Sequence, residues 1–493
     1  MRLDSVCMSS NSPEQRAAGP ARPHPPIRNI LLLLADQHRQ DCVGCYGNPI
    51  VRTPHIDALA ERGVRFTHAF TPIAICTPAR ASIQTGLLPR RHGLIFNWEF
   101  YRWRGGELNL LPGTRLFAQD LAEAGWQLAH IGKWHIGDVN KPADYGYEGP
   151  YYPGYGYPAD HEHYLAYLKG LGLSGFNLSR AKHDPGGRTL YYALQEGPQE
   201  ASIPGYLAAQ TVEKIQTFSA RGRPWFVSCN FWGPHAPIRI TNPHFDMYAD
   251  APIEPWPNFD ADLSGKPAVI RRQGQGFNTG WFTRQNLPDL IGRYYGYVTL
   301  IDEEVGRILE ALRRTGQLDQ TLIVYAADHG SSVGSFRMWD KGYGMYECLW
   351  RVPMVVSHPS IGPRTVASFV SLLDLAPTFL AAAGCSPGRE LDGLSLMPIL
   401  TGRADRVRED CMVFEHYGHQ IPCWQRMVRT LEAKYVYNPT DRDEYYDLAA
   451  DPHETHNIID SAPREKLEAM RRTLREYIED TGDPVRGFAR HTL

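Results

Sequence analysis

The chain has 493 residues, of which 43% are hydrophobic and 21% charged, with a formal net charge of -3. This length exceeds what one hydrophobic core usually holds, so we expect a large domain with a smaller second unit. The near-neutral charge excludes a global field that would attract nucleic acid or an anionic membrane surface. No apolar run approaches the roughly 18 residues of a membrane span. Neither nucleic acid nor a membrane is an expected partner.

Residues 1–26 are rich in Pro, Ser, Ala and Arg and lack the apolar segment of a secretory signal, so they are predicted to form a disordered tail. Nine cysteines, an odd number without regular spacing, favour a reducing compartment over a disulfide framework. A cytoplasmic location is therefore expected. Cys42 and Cys45 form a C-x-x-C without a second pair to complete a zinc site, and we interpret both as packing or loop residues.

Strand and helix patterns alternate from residue 27 onward. Strands are predicted at 27–35, 64–70, 126–131, 224–231 and 321–327, and helices at 53–63, 114–125, 206–220 and 294–314. The first strand is an unbroken apolar run, as expected for a strand buried on both faces of a parallel sheet. This alternation predicts an α/β fold, with helices on both faces of a large sheet.

Two other regions have a different composition and secondary-structure pattern. Residues 138–197 are rich in Tyr, Gly, Pro and His without periodicity, and we predict long loops that shape a substrate pocket. After Gly402 come short strands at 411–417, 427–438 and 444–448 and a closing helix at 462–477. We therefore predict a large domain at 27–402 and a smaller C-terminal α+β subdomain at 403–493 with a short antiparallel sheet.

Polar side chains follow the predicted strands. Asp36 comes after the first strand, Lys133 and His135 after the third, His235 after the fourth and Asp328 after the fifth. In open α/β sheets ligands bind at the carboxyl ends of the strands, so these residues are expected at one edge. Lys133 and His135 are two residues apart, and in an extended segment they would point to the same side.

Short motifs carry a family resemblance. They are Asp36-Gln37, Cys76-Thr77-Pro78-Ala79-Arg80, Gly132-Lys133-Trp134-His135-Ile136-Gly137, Pro234-His235-Ala236-Pro237 and Asp328-His329-Gly330, followed by Lys341. This ordered set resembles that of the type I, formylglycine-dependent sulfatases of the alkaline-phosphatase-like superfamily, over 27–452. The resemblance implies a large mixed sheet with helices on both faces and makes 27–402 the catalytic domain. It implies hydrolysis of a sulfate ester to an alcohol and inorganic sulfate.

Such a reaction needs a nucleophile for sulfur, cations for the charged oxygens and an acid for the leaving alkoxide. In the sulfatases that the chain resembles, a separate maturing enzyme converts the cysteine of C-x-P-x-R to formylglycine, so such an enzyme is an expected partner. One hydroxyl of the aldehyde hydrate attacks sulfur and the other expels sulfate. The resemblance thus makes Cys76 the nucleophile and Arg80 the residue that holds it. By itself, Cys76 would be interpreted as a core residue.

The resemblance also implies a metal site. Asp36, Gln37, Asp328 and His329, with the modified Cys76, match the metal ligands. Carboxylate and amide oxygens suit calcium or magnesium, whereas a ring nitrogen suits manganese or zinc. Many relatives have Asp in place of Gln37 and Asn in place of His329. We expect one divalent metal, with Ca²⁺ as first choice and Mn²⁺ or Mg²⁺ as alternatives.

The remaining motif residues acquire roles by the same resemblance. Lys133 bridges the modified Cys76 and the sulfate, and His135 is the base that removes the second hydroxyl's proton. His235 and Lys341 contact the sulfate, and His235 is expected to protonate the leaving group. A histidine titrates near neutrality, which fits either proton transfer.

The sequence defines the substrate less closely than it defines the catalytic residues. Where relatives often have Gly-Asp-His, this chain has Gly334-Ser335-Phe336, which removes a possible polar substrate contact. Trp98, Trp103 and Trp339 could stack on a sugar or an aryl ring, although loop aromatics are more often packing groups. We favour a small-molecule or oligosaccharide sulfate ester, with a carbohydrate ahead of an aryl sulfate. The sequence does not predict an oligomeric state.

Two other functions stay open at this point. The first is a phosphonate monoester or phosphodiester hydrolase of the same superfamily, some of which also use formylglycine and an Asp-Gln pair. Those relatives usually lack the pair formed here by Lys133 and His135, which favours sulfate. The second is a catalytically silent protein that binds an anion or a sugar through an unmodified Cys76.

Overall fold

A computed structural model describes residues 26–99, 108–152, 158–276, 279–419 and 422–493. The predicted disordered tail, apart from its last residue, and Trp103 lie outside the described residues. In the part of the chain that is described, no helix combines the length and apolarity needed to cross a membrane.

The strands and helices follow one another through the whole described chain. The strands are β1 (Asn29–Asp36), β2 (Val64–Phe70), β3 (Gln127–Gly132), β4 (Leu178–His183), β5 (Leu190–Gln195), β6 (Trp225–Pro234), β7 (Ile238–Ile240), β8 (Thr321–Ala327), β9 (Met354–Ser357), β10 (Arg364–Ser371), β11 (Cys411–Gly418), β12 (Pro422–Thr430), β13 (Ala433–Tyr437) and β14 (Glu444–Asp447). The helices are α1 (Pro54–Arg62), α2 (Cys76–Thr85), α3 (Pro89–His92), α4 (Phe117–Glu123), α5 (Glu162–Gly170), α6 (Ile203–Ala220), α7 (Ala268–Gly276), α8 (Leu287–Arg314), α9 (Glu347–Trp350), α10 (Leu375–Ala382), α11 (Met397–Leu400), α12 (Arg464–Thr481) and α13 (Arg486–Thr492).

The main sheet has seven described strands in the order β10-β2-β9-β8-β1-β6-β3. β9 runs antiparallel to β2 and β8, and the other neighbours are parallel, so the sheet is mixed. Every residue of β1 is buried, as its unbroken apolar sequence predicts. α1, α6 and α8 form one helical layer and α2, α4 and α10 form another. The predicted α/β fold is confirmed.

The parallel register brings the ends of four strands to one edge. Ala35 pairs with Ala327, and the backbone N–H of Asp328 donates to the carbonyl of Ala35 at 3.0 Å. On the other side of β1, β6 separates it from β3, and the N–H of Lys133 donates to the Asn230 carbonyl at 3.0 Å. The side chains that follow these strands therefore lie close together, as expected for this edge.

Two sequence predictions were wrong in detail. Residues 138–197 are not only loops, since α5, β4 and β5 lie within them and β5 pairs with both β4 and β7 in a small sheet. β4 is mostly exposed, so its sequence has no apolar periodicity. The predicted strand 427–438 is the hairpin of β12 and β13, because the chain turns between Thr430 and Ala433.

The C-terminal residues form a second, antiparallel sheet in the order β11-β12-β13-β14, and α12 packs against it. This arrangement confirms the predicted antiparallel sheet after the main domain. The boundary at Gly402 stays a prediction.

Gly132 provides a test of how the sheet edge is set. It ends β3 with a φ of 95°, and an added Cβ would lie 2.1 Å from the Asn230 carbonyl oxygen. Gly132→Ala should therefore displace the backbone that carries Lys133 and lower the free energy of unfolding, measured by urea denaturation.

Gly125 is the matched control because it has a φ of 83° but no atom within 4 Å of the added Cβ. Gly125→Ala carries the backbone strain alone, typically about 1–3 kcal/mol. Gly132→Ala should lose clearly more, and equal losses would contradict the close approach.

Candidate active site

Cys76 lies at the first residue of α2, and its side chain is fully buried. The N–H of Thr77 donates to the Asn97 side-chain oxygen at 3.1 Å, which satisfies one free group of the helix start. Pro78 lies in the first turn, where a proline removes no helical hydrogen bond. Arg80 follows four residues after Cys76, so both side chains lie on one face of the helix. The C-x-P-x-R sequence thus starts a helix that presents Cys76 and Arg80 together.

Arg80 connects the ends of two strands. Its Nη2 donates to Asp36 Oδ2 at 3.0 Å and its Nε to Asp328 Oδ2 at 2.9 Å. Lys133 Nζ also donates to Asp36 Oδ2, at 2.6 Å. All four side chains are buried. A buried carboxylate requires a cation or several hydrogen bonds. Here the Arg80 guanidinium supplies a positive charge and a hydrogen bond to each of the two carboxylates.

Four possible metal ligands surround one point. Ligand atoms of Asp36, Cys76, Asp328 and His329 all lie within 4.8 Å of one another. Cys76 Sγ is 3.1 Å from His329 Nε2 and 3.8 Å from Asp36 Oδ1. His329 Nδ1 is 2.7 Å from the Gly330 carbonyl oxygen, which leaves Nε2 for the centre. Two carboxylates and an imidazole fit a divalent cation, and the set admits calcium, magnesium or manganese.

Gln37 lies beside this group with a left-handed backbone, φ 61°. Its N–H donates to Asp328 Oδ1 at 3.2 Å, and its side-chain Oε1 accepts a hydrogen bond from Ser331 Oγ at 3.3 Å. The amide Nε2 donates to Asp340 Oδ1. Sequence reasoning missed Asp340, although it directly precedes Lys341. The Asp340 carboxylate fixes which way the Gln37 amide points.

The two central carboxyl groups differ in acidity. Burial opposes the ionisation of Asp36, but the positive charges of Lys133 and Arg80 outweigh it and hold the pKa below its ordinary value. Burial raises the pKa of Asp328, and the negative charge of Asp36 adds to this effect. Asp36 is therefore the more readily ionised of the pair.

The thiol and the imidazole of the centre form a charged pair. Burial opposes ionisation of Cys76, yet the charges of Lys133, Lys341 and His329 bring the pKa of the thiol well below its ordinary value. Burial would lower the pKa of His329, but Asp328 and the Cys76 sulfur raise it to about 9. A metal ligand must be a neutral imidazole, so cation binding at this centre would release the His329 proton.

Lys341 and His235 form a second part of the site. Lys341 Nζ is 2.8 Å from His235 Nε2 and 3.2 Å from Asp340 Oδ1. Lys341 is fully buried, whereas His235 is partly exposed. An electrostatic interaction between His235 and Asp36 also places His235 near the same centre. The structure thus brings together all the sequence-predicted site residues.

His135 lies at the centre, but with a backbone conformation that the sequence did not predict. The segment after β3 is not extended there, because His135 has a φ of 56°. Its Nε2 lies 2.7 Å from Glu99 Oε1, and its side chain also interacts with the Cys76 sulfur. The extended arrangement of Lys133 and His135 was therefore wrong, although both side chains contact the centre. No sequence spacing indicated Glu99.

The predicted aromatic contacts are mainly packing groups. Trp98 and Trp339 are only 5% and 3% exposed. The centroid of the Trp339 ring lies 5.2 Å from that of Tyr191 and 6.0 Å from that of Phe282. Trp339, two residues before Lys341, therefore belongs to a cluster of packed aromatic rings.

Two other sequence interpretations concern side chains away from the centre. Phe336, in the segment that departs from relatives, packs on Tyr346 with ring centroids 4.4 Å apart. Ser335 accepts a hydrogen bond from Arg39 at 2.9 Å, so this segment is structural. Cys42 and Cys45 are both free, and neither belongs to a metal-type cluster among the described residues.

The fold and this centre define a hydrolase of the alkaline-phosphatase-like superfamily. The profile of the Sulfatase family matches residues 28–385, and that of the N-sulphoglucosamine sulphohydrolase C-terminal region matches residues 334–481. The first match covers more than half of the chain, which therefore belongs to the sulfatase family. The protein is a sulfuric ester hydrolase.

Individual relatives agree with this assignment over most of their length. The chain is 25% identical to an N-acetylglucosamine-6-O-sulfatase of Bacteroides thetaiotaomicron, over 94% of this chain and 89% of that protein. It is 26% identical to an arylsulfatase of Clostridium perfringens, over 92% and 94%. The structure is also similar to a phosphonate monoester hydrolase of Agrobacterium radiobacter, with a TM-score of 0.73 and 26% identity over 90% of this chain and 95% of that one.

The contact between Glu99 and His135 leads to a pH-dependent prediction. Burial lowers the pKa of His135, but the negative charge of Glu99 stabilises the imidazolium and raises the pKa above its ordinary value. Glu99→Gln removes that charge, so the imidazole should lose its proton at lower pH. Histidine NMR titration measures the shift, with His135→Gln used to assign the resonance.

Glu123→Gln is the control, because Glu123 is 68% exposed and, among the described residues, forms an ion pair only with Arg115 on the surface. It should leave the His135 titration unchanged. An unchanged titration in Glu99→Gln would show that the carboxylate does not act on His135.

Proposed function

We propose that the protein hydrolyses a carbohydrate sulfate ester, with Cys76 in its formylglycine form as the nucleophile. The position of the Cys76 side chain carries this proposal. Its Sγ lies 3.1 Å from His329 Nε2 and beside Asp36, and the charges of Lys133 and Lys341 act on it. A nucleophile for a sulfate ester needs such cations, because the attacked group is itself an anion.

The side chains around Cys76 divide the reaction between them. Lys133 and Lys341 both act on Cys76 and would hold the charged sulfate oxygens. His235 is partly exposed, next to Lys341, and would donate the proton to the departing alcohol oxygen. His135 contacts Cys76 and is held by Glu99, so it would accept the proton of the second hydroxyl of the aldehyde hydrate as sulfate is expelled.

The family relationship implies a divalent metal at the same centre. Asp36, Gln37, Asp328 and His329 would hold it together with residue 76, and calcium is our first choice. When bound, the metal would supply a Lewis acid for a sulfate oxygen. Arg80 keeps the Asp36 and Asp328 carboxylates fixed beside Cys76, whether or not they hold a cation.

A carbohydrate is the proposed alcohol portion because a relative similar over nearly the full chain is an N-acetylglucosamine-6-O-sulfatase. The alternative is a phosphonate monoester or phosphodiester, which the similarity to a phosphonate monoester hydrolase and the amide of Gln37 favour. The Lys133 ammonium and the His135 imidazole at the nucleophile favour sulfate. A maturing enzyme that produces formylglycine and a cytoplasmic location complete the proposal.

The direct test compares substrates. The purified enzyme should hydrolyse at least one member of a panel of sulfated mono- and disaccharides. Its kcat/KM there should exceed that for aryl phosphonate monoesters and phosphodiesters by at least about tenfold. A higher kcat/KM for either phosphorus substrate would favour the alternative function.

Cys76→Ala should abolish turnover while the far-UV circular dichroism and unfolding midpoint stay unchanged. Cys385→Ala is the matched control, because Cys385 is also a free cysteine but lies outside the centre, and it should retain full activity. Mass spectrometry of the peptide from Ala74 to Arg80 should show formylglycine. An intact thiol in fully active protein would contradict the proposed nucleophile.

A further inference from the structure

The C-terminal sheet contributes one side chain to the neighbourhood of the active site. β11 ends at Gly418, and His419 follows it directly. His419 is 6% exposed although it lies at the end of a strand. The charged side chains that act on it are Lys341, Asp340, Cys76 and His329. An imidazole from the C-terminal subdomain therefore lies within electrostatic range of the centre built by the large domain.

The hairpin that carries His419 is firmly held. Arg426 on β12 is fully buried and donates from Nε and Nη2 to the two oxygens of Asp483, at 2.6 and 2.7 Å. Phe414 on β11 makes an edge-to-face contact with Trp350 of the large domain, with ring centroids 5.5 Å apart. Such bidentate pairing and aromatic packing fix the hairpin relative to the centre before any substrate binds.

The hydrogen-bonding state of His419 indicates a ligand. Its Nδ1 is buried and has no hydrogen-bond partner among the described residues. A buried polar atom without a partner is destabilising, and such atoms are rare in folded proteins unless a function requires them. Because His419 lies close to the charged groups of the active site, we expect the substrate to supply the missing partner.

The chemistry of the imidazole indicates which part of the substrate it meets. Burial and the positive charge of Lys341 lower the pKa of His419 to about 4, so the ring is neutral near pH 7. A neutral imidazole has one donor and one acceptor nitrogen, which match the hydrogen-bonding capacity of a hydroxyl group. Sulfate oxygens only accept hydrogen bonds, and the cations Lys133 and Lys341 suit them better.

We propose that His419 determines specificity by hydrogen-bonding a hydroxyl group on the alcohol portion of the substrate, next to the sulfate ester. This inference rests on the proposed carbohydrate sulfatase function. It gives the two parts of the chain separate tasks. The large domain carries out the reaction at sulfur, and His419 selects esters that have a neighbouring hydroxyl over esters that have none.

The experiment compares two substrates in His419→Ala and His419→Asn. The first substrate is the sulfated sugar with the highest kcat/KM for the wild-type enzyme, and the second is 4-nitrophenyl sulfate, which has no neighbouring hydroxyl. His419→Ala should lower kcat/KM for the sugar by at least about tenfold and change that for the aryl sulfate by less than about threefold. His419→Asn should restore part of the loss, because its amide places a polar atom near the position of Nδ1.

His456→Ala is the control, because its side chain is 83% exposed in the same subdomain, and both rates should stay unchanged. Equal losses on the two substrates, or no loss on the sugar, would overturn the role of His419. The wild-type enzyme separates this result from a failure of the proposed function. If it hydrolyses no sulfate ester, then the proposed function itself is wrong.

Discussion

Two carboxyl groups, Asp36 and Asp328, are buried side by side at the ends of neighbouring parallel strands, and the rest of the site is arranged around them. Neither group can be ionised there without a cation, because charge burial is strongly unfavourable. Arg80 provides the cation that both share, and Lys133 adds a second one for Asp36. The start of α2 is therefore tied to the sheet edge, and Cys76 is held where the charges meet.

This constraint explains why several cations lie around one thiol. Lys133 and Lys341 lower the pKa of Cys76, and the same positive charges suit a sulfate group that binds beside it. Asp340 neutralises Lys341 and also holds the Gln37 amide. Positive and negative side chains thus balance one another locally within the centre. This local balance agrees with the small net charge of the whole chain, -3.

The C-terminal subdomain is connected to the large domain by another, largely buried charge network. Lys434 on β13 pairs with Glu347 at 2.8 Å and with Glu454 at 2.6 Å, and Arg429 on β12 also pairs with Glu347. Breaking such a network by removing one partner is costly, so the two parts keep a defined relative position. A hairpin fixed in this way is suited to selecting the alcohol portion of a substrate.

The sequence was sufficient for the features that follow from local rules. The apolar run of β1 predicted a buried central strand, and the rule for parallel strand ends placed Asp36, Lys133 and Asp328 at one edge. The C-x-P-x-R motif identified Cys76 and Arg80, which the first turns of α2 present together. In these cases the deciding interactions lie within one element or between paired strands.

The other features depend on contacts between residues far apart in the chain. Glu99 meets His135 only because the backbone turns at His135, where φ is 56°. His419 lies near Lys341 because the C-terminal sheet packs on the large domain, and no spacing in the sequence encodes that packing. The strand β4 was missed for a different reason, since an exposed strand has no apolar pattern to detect.

We propose that Asp36 and Asp328 share one cation site with residue 76, and the proposed reaction depends on this shared site. Anomalous diffraction from crystals of the enzyme grown with Mn²⁺ measures this most directly. We expect one strong anomalous peak within bonding distance of both carboxylates and of His329, next to a formylglycine side chain at position 76. A peak elsewhere with none at these carboxylates, or an unmodified thiol at position 76 in active enzyme, would contradict it.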